Sequence, residues 1–255
     1  MSSNRHGAHR HARNSQSSRS AAAGEWLWGW HAVIAALENP ARTTPHRLLA
    51  TAERARALGG RFEPTLEIVE SGAISACLPA GAVHQGVALD IDALEPTPLA
   101  ELGGQAVGLL LMLDQVTDPQ NVGAIFRSAA AFGARGVVLQ DRHAPALAGV
   151  LAKAAAGAVD KVPHARETNL SRALERLDSF GWRAVGLDGA APATLADTLD
   201  GRPTVLVVGS EGEGLRRLVR EHCDALARIP MAGGFESLNV AAATAVALYE
   251  ATRGR

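Results

Sequence analysis

The sequence predicts an α/β protein whose larger part is a parallel β-sheet covered on both faces by helices. Four apolar runs of strand length, Val107–Leu113, Gly136–Gln140, Arg183–Leu187 and Thr204–Val208, carry almost no charge, as strands buried on both sides must. Helical patterns fill most of the gaps between them, which is the alternation of a parallel sheet. A shorter α/β unit with weaker, more polar runs comes first.

That first unit spans residues 25–94. Trp30–Leu37 reads as an entry into a helix and Arg47–Thr51 as a strand. Ala52–Leu58 is a helix stopped by Gly59-Gly60, and Thr65–Val69 is a strand after Pro64. Ser71–Cys77 is a short helix and Gly86–Ile91 a strand. Glu95-Pro-Thr-Pro98 and Gly103-Gly104 then punctuate a linker, residues 95–106, and the larger unit runs from 107 to 255. In open parallel sheets ligands sit beyond the carboxyl ends of strands, which directs attention to the residues just after Leu113, Val208 and Ile229.

Composition narrows the function classes. A chain of 255 residues with 47% hydrophobic and 20% charged residues has enough apolar surface for a sizeable core. Its net charge of −1 hides an asymmetry: residues 1–24 hold Arg5, Arg10, Arg13 and Arg19 and no acid, leaving −5 for the rest. This segment lacks periodicity and reads as a disordered basic tail; its Arg/Ser-rich composition is also that of an organellar transit peptide. Two cysteines, Cys77 and Cys223, make neither a disulfide framework nor a zinc cluster, so a reducing cytoplasm is the expected setting. No uninterrupted apolar stretch reaches membrane-spanning length, and no metal is expected.

Three segments carry candidate chemistry. In Leu113–Gly133, Asp118-Pro119 suits a turn and Asn121 an N-cap, after which Val122, Ile125, Ala129 and Phe132 share one helix face. Arg127 falls on the opposite face among Gly123, Ala124, Ala130 and Ala131, small residues that leave room for a ligand; the same spacing also fits a solvated arginine. In Val205–Leu215 a buried strand runs into Gly209 and the loop GSEGEG, which lets backbone approach a ligand closely. The loop has no Gly-Lys-Ser/Thr, so it is no Walker A motif, and Glu211 and Glu213 favour a ligand of cationic character. In Ile229–Glu250, Ile229 and Met231 are placed to flank an aromatic ring, Ser237 and Asn239 offer polar contacts, and Asn239 also suits the cap of the last helix.

Taken together, these segments resemble the SpoU-type RNA 2′-O-ribose methyltransferases of the SPOUT superfamily. The matching motifs are NVGAIFR (Asn121–Arg127), VVGSEGEGL (Val207–Leu215) and IPMAGGFESLNVAAA (Ile229–Ala243). RRLVREHCDALARIPM (Arg216–Met231) and GAVHQGVAL (Gly81–Leu89) are most similar to the branch that methylates guanosine in 23S ribosomal RNA. The resemblance implies a deep trefoil knot at the carboxyl end and a first domain like ribosomal protein L30e that grips RNA. It further implies a homodimer, S-adenosylmethionine as methyl donor, and no metal. Gly209, Ile229, Met231 and Leu238 are then expected at the cofactor. Arg127, Asn121, Glu211, Ser237 and Asn239 are expected at the reacting end. Ala241 departs from many members, which carry Ser there.

Arginine stays protonated in proteins, so Arg127 is expected to stabilise a developing alkoxide and a neighbouring phosphate rather than act as the base. Arg42, Arg47, Arg54, Arg56 and Arg61 are expected, with the tail, to supply the positive RNA surface. The turn His84-Gln85-Gly86 reads either as a connection before a strand or as an RNA contact. Two other functions stay open at this point: a tRNA 2′-O-ribose methyltransferase, and a non-catalytic RNA-binding or ribosome-assembly protein.

Overall fold

In the computed structural model, residues 25–60, 62, 65–232 and 238–253 are described. The tail, Arg61 and Ser237 lie outside them. The first unit is a four-stranded sheet with three helices: β1 (Glu25–Trp28), α1 (Trp30–Glu38), β2 (Arg47–Ala50), α2 (Ala52–Leu58), β3 (Leu66–Ile68), α3 (Ser71–Ala76) and β4 (Val87–Ile91). The order is β1-β4-β2-β3, with β4 antiparallel to both neighbours and β2 parallel to β3. Leu27, Val33, Leu48, Leu58, Leu89 and Ile91 form its fully buried centre. Strand β1 is too short for its alternation to show in the sequence; its pairing with β4 along Glu25↔Ile91 to Trp28↔Ala88 makes it a strand.

Within residues 95–106, where the punctuation suggested a linker, Leu99–Gly103 forms a helix, α4. Leu99 and Leu102 are buried against the second sheet, and the Thr97 N–H donates to the His164 carbonyl at 2.7 Å. The apolar contacts outweigh the turn propensity of the surrounding prolines and glycines.

The second unit contains β5 (Leu109–Leu113), α5 (Pro119–Ala131), β6 (Gly136–Gln140), α6 (Gly149–Ala155), a 3₁₀ turn (Ala158–Asp160), β7 (His164–Glu167), α7 (Leu170–Ser179), β8 (Arg183–Leu187), α8 (Leu195–Thr198), β9 (Thr204–Val208), α9 (Arg217–Glu221), β10 (Ala225–Ala227) and α10 (Val240–Thr252). Its six strands lie in the order β10-β8-β9-β5-β6-β7, every neighbouring pair parallel. Alternate residues of β5 feed opposite layers. Leu109, Leu111 and Leu113 pack with α5, α6 and α10, whereas Leu110 and Met112 pack with α4 and α7. The four predicted buried strands form the centre of this sheet. The edge strands are short, β7 with charged residues and β10 only three residues long, so no period marks them.

From β5 the chain builds outward through β6 to β7, then crosses to β8 and returns through β9 beside β5. The winding therefore reverses between β5 and β9. The carboxyl ends of those two strands, Leu113 and Val208, mark the place where such a sheet opens a crevice.

The two units are bound by a polar contact that excludes water. Arg42 donates from Nε to Asp160 Oδ1 at 2.7 Å, with side chains only 3% and 2% exposed. Asn39 Nδ2 donates to the same carboxylate, and Arg42 Nη1 donates to the Asp92 carbonyl. The apolar Ala152 of α6 completes the core of the first unit. Arg42 is thus withdrawn from the positive surface expected of it. Arg47 is likewise engaged, with Glu67 at 2.9 Å.

Candidate active site

The cleft, about 550 Å³, opens beside the point of reversal, at the carboxyl ends of β9, β8 and β10 and without a residue of β5 in its wall. Its walls include Leu187, Val208, Gly209, Ala227, Ile229, Met231, Leu238 and Ala243, with Glu211, Asn239, Asp188 and Arg220 among the polar groups. The structure therefore brings Gly209, Ile229, Met231 and Leu238, which lie up to 29 positions apart in the chain, to one cavity.

Gly209 is there because nothing larger fits. A Cβ built on it would stand 2.2 Å from the Gly214 carbonyl carbon, 2.3 Å from its oxygen and 2.5 Å from the Leu215 nitrogen. Ser210 and Gly214 pair across the loop through two backbone hydrogen bonds of 3.1 Å, which closes it into a flat hairpin against the strand end. The closed loop, with Gly209 at its base, then lines the cleft.

The far end of that loop is anchored by a residue whose role the sequence reading missed. Asp114, fully buried directly after β5, accepts from the Arg216 backbone N–H at 2.8 Å and from its Nε at 2.7 Å. Its own N–H donates to the Val208 carbonyl. One carboxylate thus ties β5, β9 and the start of α9 together, and its charge is matched by two charge-assisted bonds. The available signal was an acid set directly behind five apolar strand residues. Asp188 and Arg220, a second pair at 2.5 Å on the cleft wall, were also missed, because they meet only across β8 and α9.

At the mouth, Glu211 gathers the polar residues. Its Oε1 accepts from Asn239 Nδ2 at 2.8 Å, from the Val240 N–H at 3.1 Å and from Asn121 Nδ2 at 3.3 Å. Asn239 Nδ2 donates also to Asn121 Oδ1 at 2.9 Å. Asn239 Oδ1 accepts from the N–H groups of Ala241 and Ala242, so it caps α10 as expected. Asn121 does not cap α5. Asp118 does, accepting from the Gln120 N–H, with Pro119 at the first helical position, where its lack of an N–H costs nothing. Asn121 is released to turn its amide toward the cleft mouth. Ser237 lies outside the described residues.

Arg127 stands apart. Six residues beyond Asn121 it has advanced about 9 Å along α5 and faces another side of the helix. It is exposed, borders no part of the cleft and, among the described residues, makes no side-chain hydrogen bond or ion pair. Its surroundings also differ from the expectation: Gly123 is buried, and a Cβ there would meet the Leu151 carbonyl at 2.5 Å, so this glycine serves the close approach of α6. Phe132 and Tyr249 meet edge to face at 6.3 Å between α5 and α10.

The electrostatics favour a cationic occupant. Glu211, Glu213 and Asp188 border the cleft against one cation, Arg220. Cys223, behind Gly186, is no nucleophile: burial first, then Asp224 and Asp114, push its thiol up to about 12. Among the described residues no cluster of three His, Cys, Asp or Glu could hold a metal ion, and no helix is long and apolar enough to cross a membrane.

Comparison with known proteins places this geometry. The model of the SpoU rRNA Methylase family matches residues 108–249. The 23S rRNA (guanosine-2′-O-)-methyltransferase RlmB of Pseudomonas aeruginosa is 39% identical over 248 residues, covering 91% of this chain and 97% of that protein. An uncharacterized tRNA/rRNA methyltransferase of Mycobacterium avium is 46% identical over 178 residues, and the match spans 57% of its length. Among solved structures, the SpoU methyltransferase AviRb from Streptomyces viridochromogenes in complex with AdoMet superposes with a TM-score of 0.76 at 27% identity, over 90% of each chain. The AdoMet-bound rRNA methyltransferase from Sinorhizobium meliloti superposes with a TM-score of 0.73 at 29% identity, over 90% of this chain and 87% of that one. The chain belongs to the SpoU rRNA methylase family.

Proposed function

We propose that this protein methylates a ribose 2′-hydroxyl, that of a guanosine in 23S ribosomal RNA, with S-adenosylmethionine as donor. The observation that carries the reading is the single cleft that joins the Gly209 hairpin and the Ile229–Met231 segment to the Asn121–Glu211–Asn239 cluster. The relative at 39% identity over nearly its whole length supports the substrate.

The residues fit the donor. The cavity has the size of a nucleoside ligand site, and its apolar walls at Leu187, Ile229, Met231 and Leu238 suit an adenine ring. The backbone shelf made by Gly209 admits close approach, and the acidic border suits a sulfonium and an ammonium group. When bound, S-adenosylmethionine supplies a methyl group already activated by the positive charge on sulfur. The protein's part is to place the hydroxyl and to hold the charge that develops on its oxygen. Glu211 spends Oε1 on three N–H groups, which fixes the amides of Asn121 and Asn239 at the mouth. Arg127 stabilises the alkoxide and the adjoining phosphate, while the proton leaves to that phosphate or to water.

Because Arg127 borders no cleft of its own chain, a second copy delivers it. The chain is a homodimer in which α5 and α10, where Val246 and Tyr249 are exposed, face the partner. The carboxyl end of the methyltransferase domain forms a trefoil knot. Residues 25–94 form an L30e-like RNA-binding domain, residues 95–106 connect it, residues 107–255 form the methyltransferase domain, and the enzyme works in the cytoplasm. Two solved tRNA enzymes overlap only 62% and 57% of this chain, whereas the rRNA methyltransferase overlaps 90% of it, which favours ribosomal RNA as substrate.

Purified protein, labelled S-adenosylmethionine and 23S ribosomal RNA test the reading, with the methylated position mapped by resistance of the modified linkage to alkali. A 2′-O-methylguanosine in ribosomal RNA is the expected product. Label in tRNA alone, or in a base, refutes the assignment.

A further inference from the structure

The turn His84-Gln85-Gly86 is built with more care than a connection before a strand requires. Buried His84 has both ring nitrogens engaged: Nδ1 accepts from the Gly86 N–H at 3.1 Å and Nε2 meets Ser75 Oγ at 3.1 Å. Gln85 is held in the left-handed region at φ 58, a conformation that costs a non-glycine residue energy. Gly86, at φ 80, leaves no room for a side chain, since a Cβ would stand 2.8 Å from Thr51 Oγ1.

What this strain achieves is the placement of two cations. The Gln85 carbonyl accepts from Arg54 Nε at 2.9 Å, and its Oε1 accepts from the Trp30 N–H at 3.0 Å, at the start of α1. Arg54 lies over the Trp30 ring at 4.9 Å, which holds the guanidinium plane in place. Lys153 reaches across from α6 of the second unit and donates from Nζ to the Val83 carbonyl at 2.5 Å. Its stem passes beside Gly29 and the Gln85 amide, for a Cβ on Gly29 would meet both within 3.5 Å. Among the described residues neither Arg54 nor Lys153 has a carboxylate partner, unlike Arg42 and Arg47, and the terminal Nη groups of Arg54 make no hydrogen bond. Helix α6 packs tightly on α5, the helix that carries Asn121 and Arg127.

We infer that Arg54 and Lys153 form a phosphate-binding site for the substrate RNA at the seam between the two units, organised by the His84-Gln85-Gly86 turn. The inference rests on the RNA-methylation reading. Two cations anchored by backbone carbonyls, with remaining N–H groups free, suit an anion held in a fixed register. Because one comes from each unit, a strand crossing here is aligned with the active site by the same rigid contact that joins the units.

The test uses the full chain, Arg54→Gln, Lys153→Gln and their double variant, with a ribosomal RNA fragment that the wild type methylates. Each single change is expected to raise KM for RNA roughly tenfold, the loss of about one charge-assisted contact. Each is expected to flatten the dependence of log affinity on log salt by about 0.7, as for one phosphate of a single strand. Arg54→Lys and Lys153→Arg are expected to restore the salt slope. The affinity for S-adenosylmethionine, measured separately by calorimetry, reports an intact cleft. An unchanged salt slope in the double variant overturns the inference, whether affinity holds or falls together with thermal stability. A wild type that transfers no methyl group to any RNA overturns the functional reading instead.

Discussion

Replacing Gly209 by alanine tests whether the hairpin after β9 is the backbone shelf that the cofactor needs. The added methyl carbon would lie 2.2–2.5 Å from three backbone atoms of Gly214 and Leu215, short of ordinary contact by about 1 Å or more. A flexible side chain could swing away, but these atoms belong to the Ser210–Gly214 pairing and to the residues before Arg216, which Asp114 pins. Relief therefore requires opening the hairpin, at about 1 kcal/mol for each of its two hydrogen bonds, plus residual overpacking of about 1 kcal/mol. About 3 kcal/mol corresponds to roughly a hundredfold loss of affinity for S-adenosylmethionine. Calorimetric titration of purified protein measures it, with circular dichroism to verify that the β9 core survives. Gly212→Ala is the control: it meets nothing within 4 Å, though its φ of +89 imposes local strain, so a loss of about tenfold at most is expected. Binding by Gly209→Ala within threefold of wild type, in a folded protein, would refute the account of the loop.

Other outcomes rest on the same geometry. Arg127→Ala should abolish methyl transfer while leaving cofactor affinity nearly intact, because the residue borders no part of the cleft; turnover near the wild-type rate would remove it from the chemistry. Arg127→Lys then separates charge from the planar fork: partial activity favours charge, complete loss the fork. Asp114→Ala should lower stability by about 2–3 kcal/mol and weaken cofactor binding together, since one carboxylate holds both strand end and loop; an unshifted melting temperature would contradict that role. His164 supplies the pH dependence. Burial, with Arg166 next, lowers its pKa to about 4, below the usual 6.5, so the unfolded chain binds the extra proton between these values. Its contribution is complete above about pH 6.5 and falls away toward pH 4, by about 3 kcal/mol in all. His164→Leu should flatten the denaturation free energy across that window, and an equally steep profile would assign the acid sensitivity to other groups.

Much of the fold was legible because the central strands advertise themselves. Val205, Leu206, Val207 and Val208 are buried on both faces, so the run is apolar without alternation. The edge strand Ala225–Ala227 and the helix Leu99–Gly103 were not legible; each is stabilised by what it packs against rather than by its own pattern. Site residues divide in the same manner. Gly209 announces itself, since a glycine after a buried strand signals close backbone approach. Asp114 and Asp188 do not, because an acid's burial and partner are invisible until α9 is in place.

The capping of α5 shows the limit at the scale of single side chains. Local propensity favoured Asn121 as the cap, and Asn is a good one. Asp118 with Pro119 starts the helix one turn earlier and frees Asn121 to meet Asn239 and Glu211, residues 118 and 90 positions away. Arg54 and Arg42 make the same point in opposite senses. Equal as sequence, one is held ready on a turn and the other is buried against Asp160.

The α/β class, the positions of the main strands along the chain and the three motifs could be read from the sequence, because these depend on local periodicity and on residue types adjacent in the chain. Three-dimensional packing sets which polar groups share a hydrogen-bond network, which cations among the described residues remain without a carboxylate, and that Arg127 lies away from the cleft of its own chain. Those properties depend on distances across strands and between helices, which the winding of the sheet sets and the linear order does not encode.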